Sequence, residues 1–507
     1  MTEQVRSGRP SAALRRVLIP LALAQFICSF AGSNMNVMIN EIATDLGTTV
    51  QGVQLAITLF LLVMAALMIP GGKLTDRYGR KRCLNVGLAV FGLGALISSF
   101  AQGLPMLIIG YSILEGIGTA LLIPPVYILT TMLFTDVTSR ARAFGAINGM
   151  GGIGAATGPL IGGIIATAIS WRAAFVFQAA IIVVIVLLSR RDVRDPLPAD
   201  ATKSFDITGA VLSAAGLILV VLGILAADNN GWLMLGLIAA GALVLTWFFF
   251  SVRAKERAGR EPLLTLALFR NRTSNLGLVT QNIQWLVLLG ISFTVSAYLQ
   301  VIYGYNPIQT GLILTAATAG LLLSSAAAER FATRRTQRAL IMAGFVLTVT
   351  GIVLFIALDV VSTSVLAYLP GLFVIGFGVG AMLTPSVNVV QSAFPDNLQG
   401  EISGLSRSVS NLGSSLGTAI AGTILVAGIT KTPERSYGLA LAVLAAIGLV
   451  GLVAASFLPA TRPPAPAGES LPTTPHPYAK HNESGIPGFT SPQDADKSTA
   501  TPDPTAD

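Results

Sequence analysis

The sequence predicts an all-α membrane protein with fourteen transmembrane helices arranged as six, two and six. Three observations carry this prediction. The chain has 507 residues, of which 53% are hydrophobic and only 11% charged, whereas soluble domains carry about 25% charged residues. Apolar segments of roughly the 20 residues that cross a bilayer recur along the chain. Basic residues concentrate in alternate connections between these segments, which fixes the orientation of the helices.

The apolar segments divide the chain into five regions. A basic N-terminus (1–16) precedes a six-helix bundle (17–189), and linkers with two extra helices at 207–252 occupy 190–272. A second six-helix bundle (273–458) and a proline-rich tail (459–507), which its composition predicts to be disordered, complete the chain. The fourteen segments lie at about 17–38, 52–72, 83–101, 105–133, 143–169, 173–189, 207–226, 231–252, 274–302, 308–328, 339–358, 364–392, 404–429 and 437–458.

The distribution of charge tests this count. With both termini in the cytoplasm, 29 of the 32 Lys and Arg residues, Arg407 among them, fall in cytoplasmic segments. The outer loops hold only Arg172, Lys431 and Arg435. We therefore predict a multi-pass plasma membrane protein that retains its first span, since no small-residue cleavage site follows that span.

Composition also excludes several kinds of function. Both histidines, His476 and His481, lie in the polar tail, so no His-based metal site or catalytic triad is expected in the membrane region. The net charge of +8 lies in short loops, which argues against a nucleic-acid partner. No phosphate-binding GxxxxGK[ST] loop occurs. The chain is expected to be no enzyme, to use no cofactor and to draw energy from an ion gradient.

A dense basic segment lies between the second and third apolar segments, over residues 71–82. It holds five cations and one acid, and such a segment cannot lie in hydrocarbon. We predict a short cytoplasmic loop in which glycines allow tight turns and a carboxylate accepts hydrogen bonds. A topogenic basic loop without a switching role is the alternative. The candidate residues are Gly72, Asp76, Arg77, Gly79 and Arg80.

This segment resembles the signature loop of the major facilitator superfamily of transporters. The resemblance implies two parallel six-helix halves with substrate bound near the midplane between them. It also implies that the loop latches the halves in the outward-facing state. The second half repeats the loop weakly at 329–338, where Thr333 stands at the position of Asp76.

Span 5 carries a second motif, which resembles the antiporter motif of the same superfamily. Glycines one turn apart let another helix pack closely, and proline removes a backbone donor and bends the helix. The resemblance favours an exporter, whereas generic small-residue packing is the alternative. The motif consists of Gly154, Gly158, Pro159, Gly162 and Gly163.

One departure from the family concerns proton coupling. Drug:proton antiporters with fourteen spans usually carry Asp in span 1 and Arg in span 4, and the corresponding residues here are Ala31 and Ser112. In their place span 4 holds Glu115, the one acid near the middle of any predicted span. A carboxyl group at that depth is costly unless it faces a cavity or is protonated. We predict that Glu115 binds a proton or a cation; a structural hydrogen bond to Asn34 or Asn36 is the alternative.

Span 9 is unusually polar and, by the resemblance, lines the substrate cavity. Gln281, Trp285 and Ser292 fall roughly on one helical face. Aromatic side chains with one anionic group suit lipophilic cations through shape tolerance and cation–π contact. The predicted substrate site comprises Phe30, Asn34, Tyr111, Glu115, Gln281, Trp285 and Ser292.

The sequence thus predicts a multidrug efflux antiporter linked to antibiotic resistance. Its expected partners are a small-molecule substrate, protons and the lipid bilayer. An uptake symporter or facilitator for a specific metabolite is the main alternative, because the usual Asp and Arg are absent. A membrane sensor without transport is a second alternative, which the intact signature loop disfavours. The oligomeric state stays open.

Overall fold

A computed structural model describes the chain over residues 12–134, 137–193, 205–227, 230–332, 335–361, 364–395, 398–429 and 433–460. Nearly all of the predicted tail lies outside these residues, as do most of the basic N-terminus and most of the 190–206 linker. The weak loop repeat at 329–338 falls partly outside them, because it includes Thr333.

Every regular element in the described part is helical. Four short stretches depart from α-geometry: 3₁₀ turns at Met35–Met38 and Val365–Ala367, and π-helical stretches at Ile108–Glu115 and Tyr298–Ile302. The α-helices are α1 (Ala12–Asn34), α2 (Ile39–Asp45), α3 (Val50–Tyr78), α4 (Arg80–Ser99), α5 (Leu104–Leu107), α6 (Gly116–Leu133), α7 (Val137–Ala168), α8 (Trp171–Asp192), α9 (Ile207–Leu225), α10 (Gly231–Arg257), α11 (Ala267–Arg270), α12 (Arg272–Ala297), α13 (Pro307–Ala332), α14 (Gln337–Val361), α15 (Tyr368–Gln391), α16 (Gln399–Ile429) and α17 (Pro433–Ser456).

These helices account for all fourteen predicted spans. The α1–α2 and α5–α6 pairs each form one span through an interrupting stretch, and the short α11 lies in a connection. Thirteen helices within the described residues are long and apolar enough to cross a membrane. The remaining span is α16, whose 31 residues are rich in serine and glycine.

The composition of α16 follows from its two packing partners. Against α3, the Ser415 hydroxyl donates to the Thr58 carbonyl at 3.0 Å, and a Cβ at Gly422 would overlap the Gln54 side chain. Against α12, a Cβ at Gly417 would lie 2.0 Å from the Leu286 carbonyl oxygen. Small residues allow this close approach on both sides, which makes α16 less apolar than its neighbours.

The spans assemble as two six-helix bundles with an extra pair. In the first half, α1 packs on α7, while α4 packs on α6 and α8. In the second half, α12 packs on α16 and α17, while α15 packs on α13 and α14. The halves meet along α3–α16 and α7–α13. Helices α9 and α10 pair with each other, and α9 also contacts α3 and α16.

The predicted basic loop at 71–82 is almost entirely helical, which corrects the prediction of a short loop over these residues. Helix α3 continues to Tyr78 and α4 begins at Arg80. Only Gly79 separates them, with φ of 94°, a conformation that L-residues with a side chain rarely adopt. One residue suffices to reverse the chain, so the charged residues extend the helices beyond the apolar segments. We call the part of the bundle formed by residues 71–82 and the helix ends around them the basic end.

Candidate functional site

Glu115 lies at the centre of the first half, at the end of the π-helical stretch in span 4. Its side chain is 0% exposed, and neither carboxylate oxygen has a hydrogen-bond partner among the described residues. The backbone approaches α4 closely here, since a Cβ at Gly94 would lie 2.8 Å from the Glu115 nitrogen. Such π-helical stretches occur frequently at functional sites, and a buried carboxylate without partners requires an explanation.

Aromatic rings surround the neighbouring turn of span 4. Tyr111 stacks on Phe60 with ring centroids 4.6 Å apart and meets Phe175 edge-on at 6.0 Å. Its hydroxyl donates to the Ala31 carbonyl at 3.2 Å, and the Ser112 hydroxyl donates to the Ala56 carbonyl at 2.7 Å. The Tyr111–Ala31 bond therefore joins span 4 to span 1, whereas Ser112 bonds to α3.

Phe30 and Asn34 are the residues of span 1 in the predicted substrate site. Phe30 is fully buried, and its ring lies 5.5 Å from that of Phe177. Asn34 is also fully buried, and its amide has no partner among the described residues, so no hydrogen bond to Glu115 is formed there. Trp285 is half-buried, and within the same part of the chain no ring contact joins it to Phe30 or Tyr111.

The polar residues of span 9 face two different partners. Gln281 accepts a hydrogen bond from the Ser406 hydroxyl at 2.9 Å, which holds α12 to α16 inside the second half. Ser292 accepts a long contact of 3.5 Å from the Asn36 amide of the first half. The 3₁₀ turn at Met35–Met38 also contacts the π-helical stretch at Tyr298–Ile302, since the Gln300 amide donates to the Asn36 carbonyl at 2.8 Å.

The glycines of the span 5 motif have distinct neighbours. A Cβ at Gly154 would lie 2.3 Å from the Phe26 carbonyl oxygen, and one at Gly158 would lie 2.0 Å from the Ser33 hydroxyl. At Gly162 the nearest atom is Asn34 Cβ, at 3.0 Å. These three glycines therefore face span 1.

The last glycine of the motif faces the other half. A Cβ at Gly163 would lie 2.4 Å from the Pro307 carbonyl oxygen, and one at Gly311 would lie 2.3 Å from the Pro159 carbonyl oxygen. The motif thus places α7 in direct contact with both α1 and α13. A movement of α13 against α7 would therefore be transmitted to α1, the helix that carries Phe30 and Asn34.

At the basic end, Lys73 ties the two halves together. Its ammonium lies 2.7 Å from Glu401 Oε1 of α16. Glu401 Oε2 accepts two further hydrogen bonds from Thr265, at 3.1 Å from the backbone nitrogen and 2.8 Å from the hydroxyl. Burial alone would raise the pKa of the Glu401 carboxyl, but the bonds from Lys73 and Thr265 hold that pKa below its usual range.

The predicted latch residues flank Lys73 in the sequence, at the end of α3 and the start of α4. Asp76 accepts a hydrogen bond of 3.3 Å from Arg80, one turn along the chain, and the Arg77 guanidinium lies over the Tyr78 ring. The close helix approach occurs at Gly71, where a Cβ would lie 2.2 Å from the Ala120 carbonyl oxygen. At Gly72 the nearest atom is an ordinary 3.8 Å away.

Arg407, which the sequence analysis counts among the cations of cytoplasmic segments, lies inside α16. Its guanidinium covers the Tyr127 ring at 4.5 Å, donates to the Tyr127 hydroxyl, and reaches Asn148 Oδ1 at 3.3 Å. This cluster joins the halves near the basic end. The sequence signal was an arginine two turns into a helix built mostly from small and apolar residues.

The predicted site leaves out two buried glutamines. Gln178 of α8 and Gln284 of α12 are fully or almost fully buried, and their amides have no partner in the part of the chain described. Gln178 lies one turn beyond Phe175, the ring that contacts Tyr111. Each unpaired amide costs about 1–3 kcal/mol. The sequence feature that could have identified them is an amide side chain at a position otherwise occupied by apolar residues in spans 6 and 9.

The comparisons with known proteins agree with this architecture. The family model of the Major Facilitator Superfamily matches residues 21–206, 198–418 and 291–486. The cephamycin export protein CmcT of Amycolatopsis lactamdurans is 28% identical, covering 91% of this chain and 96% of its own. The riboflavin transporter RibZ of Clostridioides difficile is 25% identical, covering 82% of this chain and 89% of its own.

A solved structure shows the same fold. A POT family transporter in complex with a thioalcohol-conjugated peptide superposes with a TM-score of 0.65 at 15% identity. The superposition covers 87% of this chain and 96% of that one.

Proposed function

The chain belongs to the Major Facilitator Superfamily, and from that premise we propose that it exports lipophilic cations across the plasma membrane in exchange for protons. The observation that carries this proposal is Glu115, a fully buried carboxyl group without a hydrogen-bond partner among the described residues. An ionisable residue inside a membrane span usually marks a substrate or proton pathway. The surrounding rings suit an apolar ligand, and cations are attracted to ring faces.

Exchange at one carboxyl group requires competition between its two ligands. The ionised form of Glu115 attracts a cationic substrate, whereas the protonated form is neutral and releases it. Asn34, Gln178 and Gln284 supply further buried amides that have no partner among the described residues and can hydrogen-bond a substrate once the halves separate. Tyr111, Phe30 and Trp285 supply apolar surface, and Gln281 and Ser292 complete the proposed lining.

Alternating access follows from the contacts between the halves. In this structure Lys73 and Arg407 bridge the basic end, while Gln300 and Gly163 join the halves at the opposite end. The proposed latch is the segment around Asp76, and its contact with the other half, Lys73–Glu401, would break when the protein opens there. In this proposal the basic end and both termini face the cytoplasm. A reporter fused within residues 73–82 should therefore read as cytoplasmic, and one after Asn230 as external.

The direction of transport rests on two supports. The span 5 motif resembles that of antiporters, and CmcT, the relative covering most of this chain among those named above, is described as an export protein. Uptake or facilitated transport of a metabolite is the second candidate. It is favoured by the likeness to a riboflavin transporter and by Ala31 and Ser112 at the usual proton-handling positions.

One assay separates these candidates. Inverted membrane vesicles that contain the protein are acidified inside and supplied with tetraphenylphosphonium, a lipophilic cation. The proposal predicts accumulation that disappears when the pH gradient is collapsed. Accumulation equal to that of vesicles without the protein would reject the proposed activity, and gradient-independent equilibration of riboflavin would favour the second candidate.

A further inference from the structure

The connection that follows the extra pair of helices crosses the basic end and reaches the contact between the two halves. We call residues 258–266 the strap. It leaves α10 through Gly259, whose φ of 67° reverses the chain, and it ends beside Glu401. Its residues 258–261 are exposed, whereas Leu263 and Leu264 are buried.

Three carboxylates fix the strap. Asp206, the N-cap of α9, accepts a hydrogen bond from the Leu263 nitrogen at 3.0 Å and forms an ion pair with Lys255 of α10. Glu256 accepts a bond of 2.6 Å from the Leu266 nitrogen. The first two carboxylates belong to the extra pair of helices, so the strap is held by that pair on one side.

The third carboxylate is Glu401, which belongs to the second half. Its two oxygens have different partners, because Oε1 pairs with Lys73 of the first half and Oε2 accepts both hydrogen bonds from Thr265 of the strap. Both Oε2 bonds come from Thr265, so this residue holds one carboxylate oxygen in place while Oε1 pairs with the Lys73 ammonium.

An apolar cluster supports the same arrangement. Leu263 and Leu264 pack in one cluster with Phe248 of α10, Ile402 and Leu405 of α16. Ile402 follows Glu401 directly and is fully buried. The cluster therefore links the extra pair to the first turns of α16, where the ion pair between the halves lies.

We infer that Thr265 is a positioning residue for the Lys73–Glu401 pair, and that the extra helices act through the strap to stabilise closure of the basic end. The inference rests on the proposed function only in treating this closure as a step of the transport cycle. It gives the two additional spans a role in a superfamily whose core needs six helices in each half.

The test measures closure directly. Cys28 and Cys83 are replaced by alanine, and spin labels are attached at Arg142→Cys and Arg335→Cys, two exposed positions at the basic ends of opposite halves. Distance distributions are recorded for the purified full chain. Thr265→Val keeps the side-chain shape and loses one donor, so the ratio of open to closed protein should rise about two- to tenfold, as the loss of one hydrogen bond gives.

Three further variants make the result specific. Thr265→Ser restores the donor and should restore the wild-type distribution. Lys255→Met loosens the strap away from Glu401 and should shift the ratio in the same direction. Thr246→Val on α10 removes a hydroxyl that donates within its own helix, to the Ala242 carbonyl. It should change nothing and serves as the matched control.

A double-variant cycle decides the mechanism. If Thr265 acts through Glu401 and Lys73, adding Thr265→Val to Lys73→Met should change the ratio no further. An unchanged distribution for Thr265→Val, or a shift that simply adds to that of Lys73→Met, would overturn the inference. The distances are read without substrate, so a failure of the tetraphenylphosphonium assay would reject the proposed function and leave this result standing.

Discussion

Two carboxyl groups, the buried Glu115 and the partly exposed Glu401, illustrate two uses of charge in one membrane protein. Glu401 lies at the basic end, where Lys73 and Thr265 satisfy both of its oxygens. Glu115 lies at the centre of the first half, where no described residue hydrogen-bonds to either oxygen. A satisfied carboxylate keeps its charge and holds two segments together. An unsatisfied one gains more from binding a proton or a cation.

The comparison predicts its largest effect for Glu115→Gln, which keeps the size of the side chain but fixes it in the neutral state. Accumulation of tetraphenylphosphonium in inverted vesicles with an acidic interior should fall to the level of vesicles without the protein. Glu115→Asp should retain accumulation with a shifted pH optimum. The comparison would be contradicted if vesicles with Glu115→Gln at a normal protein level still accumulated tetraphenylphosphonium in response to the pH difference.

A large effect is also expected where α7 packs on α1 beside the central site. Gly154→Val places side-chain atoms where even a Cβ would lie 2.3 Å from the Phe26 carbonyl oxygen, and such overpacking costs about 1–3 kcal/mol or more. The melting temperature of the purified protein should fall and transport should be lost. Gly152→Val on the same helix is the matched control, since a Cβ there meets nothing within 4 Å. Equal melting temperatures for the two variants would contradict the tight packing described.

Lys73→Met tests the second carboxylate of the comparison, Glu401, by removing the cation that pairs with it. The pair is partly exposed, so its loss should cost about 1 kcal/mol, which is roughly a fivefold rise in the ratio of open to closed protein at the basic end. The spin-label distances between positions 142 and 335 measure this ratio. Transport should slow but remain coupled to the pH gradient. Loss of coupling in this variant would assign Glu401 the role that we give to Glu115.

The smallest expected effect is a dependence of closure on pH. Because the pKa of Glu401 is lowered in the closed structure, its contribution to closure is complete at pH values above the usual pKa of glutamate, about 4.3. It is lost as the pH falls through the lowered pKa. In the wild type the open fraction should therefore stay constant from about pH 7 to about pH 5 and rise as the pH falls below about 4.3. In Glu401→Gln the open fraction should be higher at the start and change less. An equal rise in both proteins would show that another group titrates.

Much of the fold could be predicted from sequence because apolar segments and basic connections are local signals. Even α16 was found, although its serines and glycines lower its apolarity. The connection at Gly79 was predicted as a longer loop, since charged residues that extend a helix past the membrane look like a loop in sequence.

The site was less predictable because its contacts join distant parts of the chain. Glu115 could be recognised as a lone acid at mid-span. Its missing partners, and the buried amides of Gln178 and Gln284, depend on how the helices pack. The partner of Lys73 lies 328 residues away, and Thr265 reaches Glu401 from a connection with no membrane signal. No periodicity encodes such pairs.

Proton release on substrate binding tests the central claim most directly. Purified protein in weakly buffered detergent solution is mixed with tetraphenylphosphonium, and the change in pH is followed with an indicator dye. We predict that the wild type and Glu401→Gln release protons as the cation binds, whereas Glu115→Gln binds without release or fails to bind. Proton release of wild-type size from Glu115→Gln would contradict the account.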